Sequence, residues 1–248
     1  DGTLVFSQRV LNEEKRESLF RRPIRLIQYG IEIPDHQGAG RGPGKGSEDE
    51  RWGEIRRELH IPPDAFVWTT VGRLTKQKGF VHLIDAFSRA PIPAGGSFLL
   101  IIGDGEDRGL LECLARDMGV GQRVIFSGSR TDTMLLLGIS DAFVLSSLWE
   151  GGPLVILEAM AAGLPVVATR VGDASSMVEE GKTGILVDPG NAGQLAEAMC
   201  RVQDMTPSLG EWGKRGRGRV EKLYDFRRAQ REMETYYKEL AGVAFPVK

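Results

Sequence analysis

Short apolar runs alternate with amphipathic stretches from residue 66 to about residue 203. Six of the runs predict buried β-strands, near residues 66–71, 98–102, 124–127, 142–146, 165–169 and 184–187. The stretches between and after them carry apolar residues at helical spacing and predict helices, near residues 78–89, 108–118, 132–139, 153–162, 174–180 and 192–203. This β–α alternation is typical of an α/β protein with a doubly wound parallel sheet. Such sheets bind ligands at the carboxyl ends of their strands.

The segments on either side follow a different pattern. Near the start, a helix is predicted at 13–21 and a strand at 25–29, and near the end an amphipathic helix is predicted at 224–240. Residues 35–50 (DHQGAGRGPGKGSEDE) are rich in glycine and charge and lack apolar periodicity, which predicts a mobile insertion or linker. The alternative, a phosphate-binding loop, finds no GxxxxGK[ST] or GxGxxG spacing to support it.

Composition narrows the classes of partner. With 248 residues, of which 41% are hydrophobic and 27% charged, the chain is long enough for one globular domain with attached segments. A net charge of −2 gives no broad positive field for nucleic acid. The longest apolar stretch, 154–168, is interrupted by a glutamate, a glycine and a proline, so it cannot span a bilayer, and no signal peptide is recognised.

The cysteine, histidine and basic residues indicate which redox state, metal sites and membrane contacts to expect. Cys113 and Cys200 both fall in predicted helices and are interpreted as reduced thiols of a cytoplasmic protein. The three histidines are scattered along the chain, so no metal site is predicted. A basic run near the end, comprising Lys214, Arg215, Arg217 and Arg219, is interpreted as a solvated helix face. Peripheral contact with anionic lipid is the alternative.

The most specific segment is EGGPLVILEAMAAGLPVVAT, at residues 150–169. Proline suits the first position of a helix, so a helix is predicted from Pro153 to Ala162, ended by Gly163. This helix is apolar on all sides except at Glu158, whose buried carboxylate needs a hydrogen-bond donor. The free N–H groups of its first turn, next to a glycine pair, form an anion site. A ligand with both phosphate and hydroxyl groups would satisfy both ends of the helix.

A second candidate site follows the first predicted strand of the sheet. Gly72 and Arg73 come directly after that strand, and Lys78 stands at the start of the next predicted helix. An arginine fork and a lysine point charge at the carboxyl end of a strand suit a diphosphate. Ordinary alternatives remain for both sites. Arg73 and Lys78 could be loop cations exposed to solvent, and Glu158 could be paired with an arginine of a neighbouring element.

Five collinear segments resemble the retaining, nucleotide-sugar-dependent glycosyltransferases of family 4, which have the GT-B fold. The segments are VGRLTKQKG (71–79), IIGDGE (101–106), VIFSGSR (124–130), WEGGPLVILEAMAAGLPVVAT (149–169) and TGILVDPGNAGQLAEAM (183–199). The resemblance implies a Rossmann-like, donor-binding domain, the C-terminal half of a two-domain enzyme whose active site lies between the domains. It implies no metal and no cofactor, with a UDP- or GDP-linked sugar as the donor substrate.

The resemblance also implies roles for individual residues. Arg73 and Lys78 would hold the diphosphate and stabilise the departing charge, and Glu150 would face the hydroxyls of the sugar. Glu158 would accept hydrogen bonds from the ribose. The other implied donor-binding groups are the backbone at Gly72, Gly151, Gly152 and Leu154, and the Gly128–Arg130 loop, with Arg130, for the base.

Three segments are predicted on this basis. Residues 1–65 would be a remnant of the N-terminal acceptor domain plus the glycine-rich linker, 66–205 the nucleotide-sugar-binding domain, and 206–248 a C-terminal helical segment that crosses back onto the N-terminal domain. The rest of that domain would be a missing partner. Two positions depart from the family: Gln28-Tyr29-Gly30 stands where Asn before Gly is usual, and Ser175-Ser176 replaces a Pro-Glu pair.

Two other functions stay open at this point. The chain could be a non-catalytic nucleotide-sugar-binding domain or fragment, or a nucleotide-sugar epimerase of the same fold. The epimerase is disfavoured because the 150–158 segment and the pair of cations follow the transferase pattern. A dehydrogenase is disfavoured because Gly103 and Gly105 lack the third glycine of a dinucleotide-binding motif.

Overall fold

A computed structural model describes residues 3–7, 10–12, 24–33, 49–90, 96–205 and 208–241. Its main body is a six-stranded parallel sheet in the order β5-β4-β3-β6-β7-β8. The strands are β3 (Phe66–Val71), β4 (Ser97–Ile102), β5 (Val124–Gly128), β6 (Ala142–Leu145), β7 (Val166–Thr169) and β8 (Gly184–Val187). Each lies within a residue or so of its predicted position, so the predicted doubly wound α/β sheet is confirmed.

Helices connect the strands and cover both faces of the sheet. They are α1 (Asp49–Glu58), α2 (Phe80–Arg89), α3 (Arg108–Asp117), α4 (Thr133–Gly138), α5 (Leu154–Ala161), α6 (Ala174–Met177), α7 (Ala192–Asp204), α8 (Leu209–Leu223) and α9 (Phe226–Ala241). A short 3₁₀ turn, Lys76–Lys78, precedes α2. Because β3 and β6 are neighbours that lead to opposite halves of the sheet, the topological switch point lies between their carboxyl ends.

The sheet is buried because its strands are apolar on both faces. All four residues of β6 and of β7 are buried, and Trp68 of β3 and Phe143 of β6 are fully enclosed. The strands therefore form a rigid support for the loops at their carboxyl ends.

Three predicted boundaries differ from the structure. Pro153 is the N-cap of α5 and not its first residue, because its ψ of 80° is outside the helical range. The helix predicted at 174–180 is the single turn α6. The helix predicted from residue 78 starts at Phe80, after Gly79 adopts a left-handed φ of 63°. A Cβ at Gly79 would lie 2.2 Å from the Ser146 carbonyl oxygen, so this turn needs glycine.

The predicted helical segment at 206–248 gave no bounds for helix α8, because four glycines interrupt its sequence. Two of them allow it to pack closely against α5. A Cβ on Gly213 would lie 1.9 Å from the Gly163 carbonyl oxygen, and one on Gly216 would touch Met160. Gly163 itself has a φ of 76° and ends α5 as predicted.

The part of the chain before the sheet is only partly described. Strands β1 (Thr3–Val5) and β2 (Ile24–Leu26) form a separate parallel pair. Helix α9 lies beside it, since Arg25 pairs with Glu239 at 2.5 Å and stacks on Tyr236. Helix α1 packs against the main sheet, although the predicted division at residues 65 and 66 separates the two. The predicted helix at 13–21 and nearly all of the predicted linker at 35–50 lie outside the described residues.

Candidate functional site

The loops that follow β3, β4 and β6 meet at the switch point of the sheet. Gly103 has a φ of 136°, and a Cβ there would lie 2.0 Å from the Gly72 carbonyl oxygen. A Cβ on Gly105 would likewise lie 2.3 Å from the Leu74 carbonyl oxygen. The backbones of the first two loops are therefore in direct contact. A side chain at Gly72 would meet that of Lys78, with 3.2 Å between the Cβ and Cε.

Lys78 and Glu150 form an ion pair across this point. The Lys78 Nζ lies 2.5 Å from the Glu150 Oε1, and the two side chains are 19% and 10% exposed. The same carboxylate oxygen accepts a hydrogen bond of 2.8 Å from the Ser147 hydroxyl. The sequence predicted separate roles for these residues, whereas the structure places them in contact. The Glu150 Oε2 has no partner among the described residues, so it is free to accept a further hydrogen bond.

Arg73 remains in solvent at the edge of the same site. Its side chain is 78% exposed, and its nearest anion is Glu106, at 4.0 Å. An exposed pair at this distance contributes little to stability. The guanidinium is thus available for a ligand.

The N-terminus of α5 presents free backbone donors. Among the described residues, none accepts a hydrogen bond from the N–H of Gly151, Gly152 or Val155. The predicted donor Leu154 differs, because its N–H is directed at the Gly152 carbonyl, 2.9 Å away, in an inverse γ-turn around Pro153. Val155 therefore takes the place of Leu154 in the set of free donors. Together with the helix dipole, these N–H groups favour an anion.

Glu158 lies one helical turn after these donors. It shares a face of α5 with Leu154, which is 36% exposed, so the face opens to solvent. The carboxylate is half-buried and has no hydrogen bond or ion pair among the described residues. Burial accordingly raises the pKa of Glu158 above its usual value. The structure supplies no arginine partner for it within the described residues, which disfavours a structural ion pair.

Arg130 lies in the predicted base-binding loop but is already paired. Its guanidinium donates two hydrogen bonds of 2.8 Å to Asp132 and one of 3.0 Å to Glu58 on α1. These carboxylates raise its pKa and fix its orientation. The loop backbone from Gly128 to Arg130 is therefore the better placed part of this segment for contact with a base.

Several site neighbours were not identified from the sequence. The ring of Tyr29 packs on Gly152, where a Cβ would lie 2.6 Å from its Cε2 atom. The Asp173 N–H donates to the Gly151 carbonyl at 3.1 Å, and the Asp173 carboxylate accepts from Ser7 at 2.8 Å. These contacts join parts of the chain that are far apart in sequence, so no local pattern indicates them. The nearest available signal is that Asp173 follows β7, at the same edge of the sheet.

The basic run on α8 does not form a uniform solvated face. Arg219 donates to the carbonyl oxygens of Ser176 and Met177, and Arg217 to that of Ala161. Only Lys214 and Arg215 are exposed. Two of the four cations thus hold α8 against α5 and α6, which weakens the argument for contact with lipid.

The described part of the chain has neither a metal-ligand cluster nor a helix that could span a membrane. It contains no group of three or more His, Cys, Asp or Glu side chains placed to hold a metal ion. None of its helices is both long and apolar enough to cross a membrane.

Comparison with known proteins identifies the family. The model of the family described as "Glycosyl transferases group 1" matches residues 53–219. The lipopolysaccharide core biosynthesis glycosyltransferase LpsE of Rhizobium meliloti is 42% identical over 147 residues, which are 59% of this chain and 42% of that protein.

Solved glycosyltransferases have the same fold. Sucrose-phosphate synthase from Thermosynechococcus elongatus superimposes with a TM-score of 0.82 and 27% identity, over 98% of this chain and 59% of that one. Anabaena HepE in complex with UDP-glucose gives a TM-score of 0.80 and 26% identity, over 95% of this chain and 63% of that one. The predicted Rossmann-like half of a GT-B fold is thus confirmed. The chain spans less than two thirds of each of these relatives.

Proposed function

Because this chain belongs to the group 1 glycosyl transferases, we propose that it binds the nucleoside-diphosphate sugar donor of a glycosyl transfer reaction and stabilises the departing diphosphate. The donor is UDP- or GDP-linked, and transfer proceeds with retention to an acceptor held by an upstream domain. The protein acts in the cytoplasm. UDP is the first nucleotide to test, since HepE, at 26% identity, was solved with UDP-glucose.

The position of Glu158 is the observation that carries this proposal. Its half-buried carboxylate has no partner in the described chain and lies four residues beyond the first residue of α5, about 6 Å along the helix axis. Free N–H groups stand at one end of that distance and an acceptor at the other. A nucleoside diphosphate has the same order of groups, with phosphate oxygens that accept and ribose hydroxyls that donate. One ligand therefore satisfies both ends of the helix.

Cations surround the phosphate end of the proposed site. The exposed Arg73 can donate two hydrogen bonds to phosphate oxygens, and Lys78 adds a point charge. Together with the N–H groups of α5, they stabilise negative charge as the bond between sugar and phosphate breaks. These groups supply the positive charge from the chain itself, so we expect no metal requirement.

The Lys78–Glu150 pair joins the phosphate and sugar ends of the proposed site. Lys78 is held by one oxygen of Glu150, at 2.5 Å, and its other two protons remain for a phosphate. The other oxygen of Glu150 can accept a hydroxyl of the donor sugar. Departure of the diphosphate and orientation of the sugar are thereby connected through a single ion pair.

Calorimetric titration of the 248-residue chain tests the proposal directly. UDP, GDP and their sugar conjugates are titrated in buffer with EDTA and again with Mg²⁺. We expect one of the two diphosphates to bind in both buffers with similar affinity. Binding of neither diphosphate would contradict the proposed function, and binding that appears only with Mg²⁺ would contradict the assignment of Arg73 and Lys78.

Catalysis needs a separate test. A longer chain that includes an upstream acceptor domain should hydrolyse or transfer the sugar of the donor that binds, and the anomeric product can be determined by NMR. Transfer with retention is the expected result. A chain that binds the donor but never turns it over, even with that domain restored, would indicate a non-catalytic binding domain.

A further inference from the structure

Tyr29 is held next to the N-terminus of α5 by contacts that fix its backbone. The Ile31 N–H donates to the Tyr224 carbonyl at 2.9 Å, and the Phe226 N–H donates to the Ile31 carbonyl at 3.0 Å. Gly30 lies so close to α9 that a Cβ there would be 2.6 Å from the Phe226 Cα. These contacts therefore anchor the segment that carries Tyr29 to the end of α8 and to the start of α9.

The ring of Tyr29 is fixed as well as its backbone. One ring edge packs on Gly152, and the ring stacks with Phe6 at 6.3 Å between centroids. The phenol also packs against the core cluster that contains α5 and β7. Because Gly152 has no side chain, the Tyr29 hydroxyl reaches within 3.0 Å of the point where a Cβ would lie. The hydroxyl thus stands beside a residue whose N–H is free.

The hydroxyl is itself a free donor. No described residue hydrogen-bonds with the Tyr29 hydroxyl oxygen, although the ring that carries it packs against its neighbours. Burial, followed by the negative charge of Asp173, raises the pKa of this phenol. The hydroxyl therefore keeps its proton at neutral pH. A protonated hydroxyl beside Gly152, whose amide is free, adds a donor at the N-terminus of α5, and a phosphate, which only accepts, is a ligand group that matches these donors.

We propose that the Tyr29 hydroxyl donates a hydrogen bond to the distal phosphate of the nucleotide-sugar donor and so strengthens the preference of this site for a diphosphate over a monophosphate. The proposal rests on the proposed donor-binding function. It assigns to Tyr29 a contact with the phosphate that leaves with the nucleotide. Gly152 serves this contact because any larger residue would displace the ring.

The test compares two tyrosine-to-phenylalanine variants of the whole chain. Tyr29→Phe removes only the hydroxyl, and Tyr237→Phe removes the same group from an α9 side chain that is 55% exposed. Calorimetry measures the affinities for UDP and UMP, with GDP and GMP in parallel. We expect Tyr29→Phe to lower the ratio of diphosphate to monophosphate affinity about 10-fold, the effect of one hydrogen bond to a charged group. Tyr237→Phe should leave this ratio unchanged.

The ratio separates the possible outcomes. It is insensitive to the folded fraction, so a loss of stability in Tyr29→Phe does not obscure it. An unchanged ratio, or equal losses for diphosphate and monophosphate, overturns the role of Tyr29 while leaving the donor-binding function intact. Failure of the parent chain to bind any of the four nucleotides overturns both proposals together.

Discussion

Replacing Glu158 by glutamine separates a ligand-binding carboxylate from a structural one. The substitution keeps the shape of the side chain and removes its charge. In the structure this carboxylate is half-buried in α5 and has no partner among the described residues, and burial raises its pKa. The ligand-free protein therefore gains nothing from the charge, and Glu158→Gln should not destabilise it.

The expected loss appears in binding. Two ribose hydroxyls that donate to a carboxylate contribute at the scale of hydrogen bonds to a charged group, about 1.5–3 kcal/mol. That is roughly a 10- to 150-fold loss of affinity, expected for the nucleoside, the diphosphate and the nucleotide sugar alike. Calorimetry measures these affinities, and Glu197→Gln, at an exposed position of α7, is the matched control.

Stability supplies the second measurement, with a definite sign. The folded protein prefers the neutral form of Glu158, so the cost of its charge is present above the folded pKa and disappears as the pH falls below the unfolded value. Glu158→Gln should therefore keep or raise Tm at pH 7, and any gain should vanish at acidic pH. Loss of a buried ion pair would instead cost about 3–5 kcal/mol, or roughly 6–20 °C in a chain of this size. A fall of that order with normal nucleotide binding would refute the ribose assignment.

Five further substitutions test other parts of the account. Arg73→Ala and Lys78→Ala should each weaken diphosphate binding about 10-fold or more in EDTA while the bare nucleoside binds as before; calorimetry would contradict this by showing equal losses for both ligands. Glu150→Gln should leave diphosphate affinity unchanged or higher, because Lys78 loses a competing carboxylate at 2.5 Å, yet it should lower turnover of the chain with its upstream domain; reduced diphosphate affinity would argue against this. In α8, Gly213→Ala should destabilise by about 1–3 kcal/mol through the close contact with Gly163, whereas Gly218→Ala, with nothing within 4 Å, should stabilise by about 0.5–1 kcal/mol; urea unfolding that gave both the same sign would show that α8 does not pack as described.

The sheet could be predicted from the sequence because its strands are continuous apolar runs with clear boundaries. A helical segment was predicted over 206–248, but the bounds of helix α8 could not be predicted, since its glycines lower helix propensity. These glycines allow the close contact with α5, which no local pattern reveals. The position of Pro153 at the N-cap could not be predicted either, because it depends on the γ-turn in which the Leu154 N–H is directed at the Gly152 carbonyl.

The candidate site was predictable in its parts and not in its connections. Arg73, Lys78 and Glu158 were proposed from residue type and from position after a strand or within a helix, and Glu150 was proposed from the family resemblance. The ion pair between Lys78 and Glu150 could not be predicted, because the distance between them depends on the adjacency of β3 and β6. The contact of Tyr29 with Gly152 could not be predicted either, because it requires α9 to cross back to the start of the chain.

A crystal structure of the chain with bound UDP, or with GDP if that is the nucleotide that binds, tests the central claim most directly. The account predicts the distal phosphate within hydrogen-bond distance of the N–H groups of Gly152 and Val155, with Lys78 and Arg73 around it. It also predicts both ribose hydroxyls on the carboxylate of Glu158. A nucleotide bound elsewhere on the sheet, or one whose ribose does not contact Glu158, would contradict it.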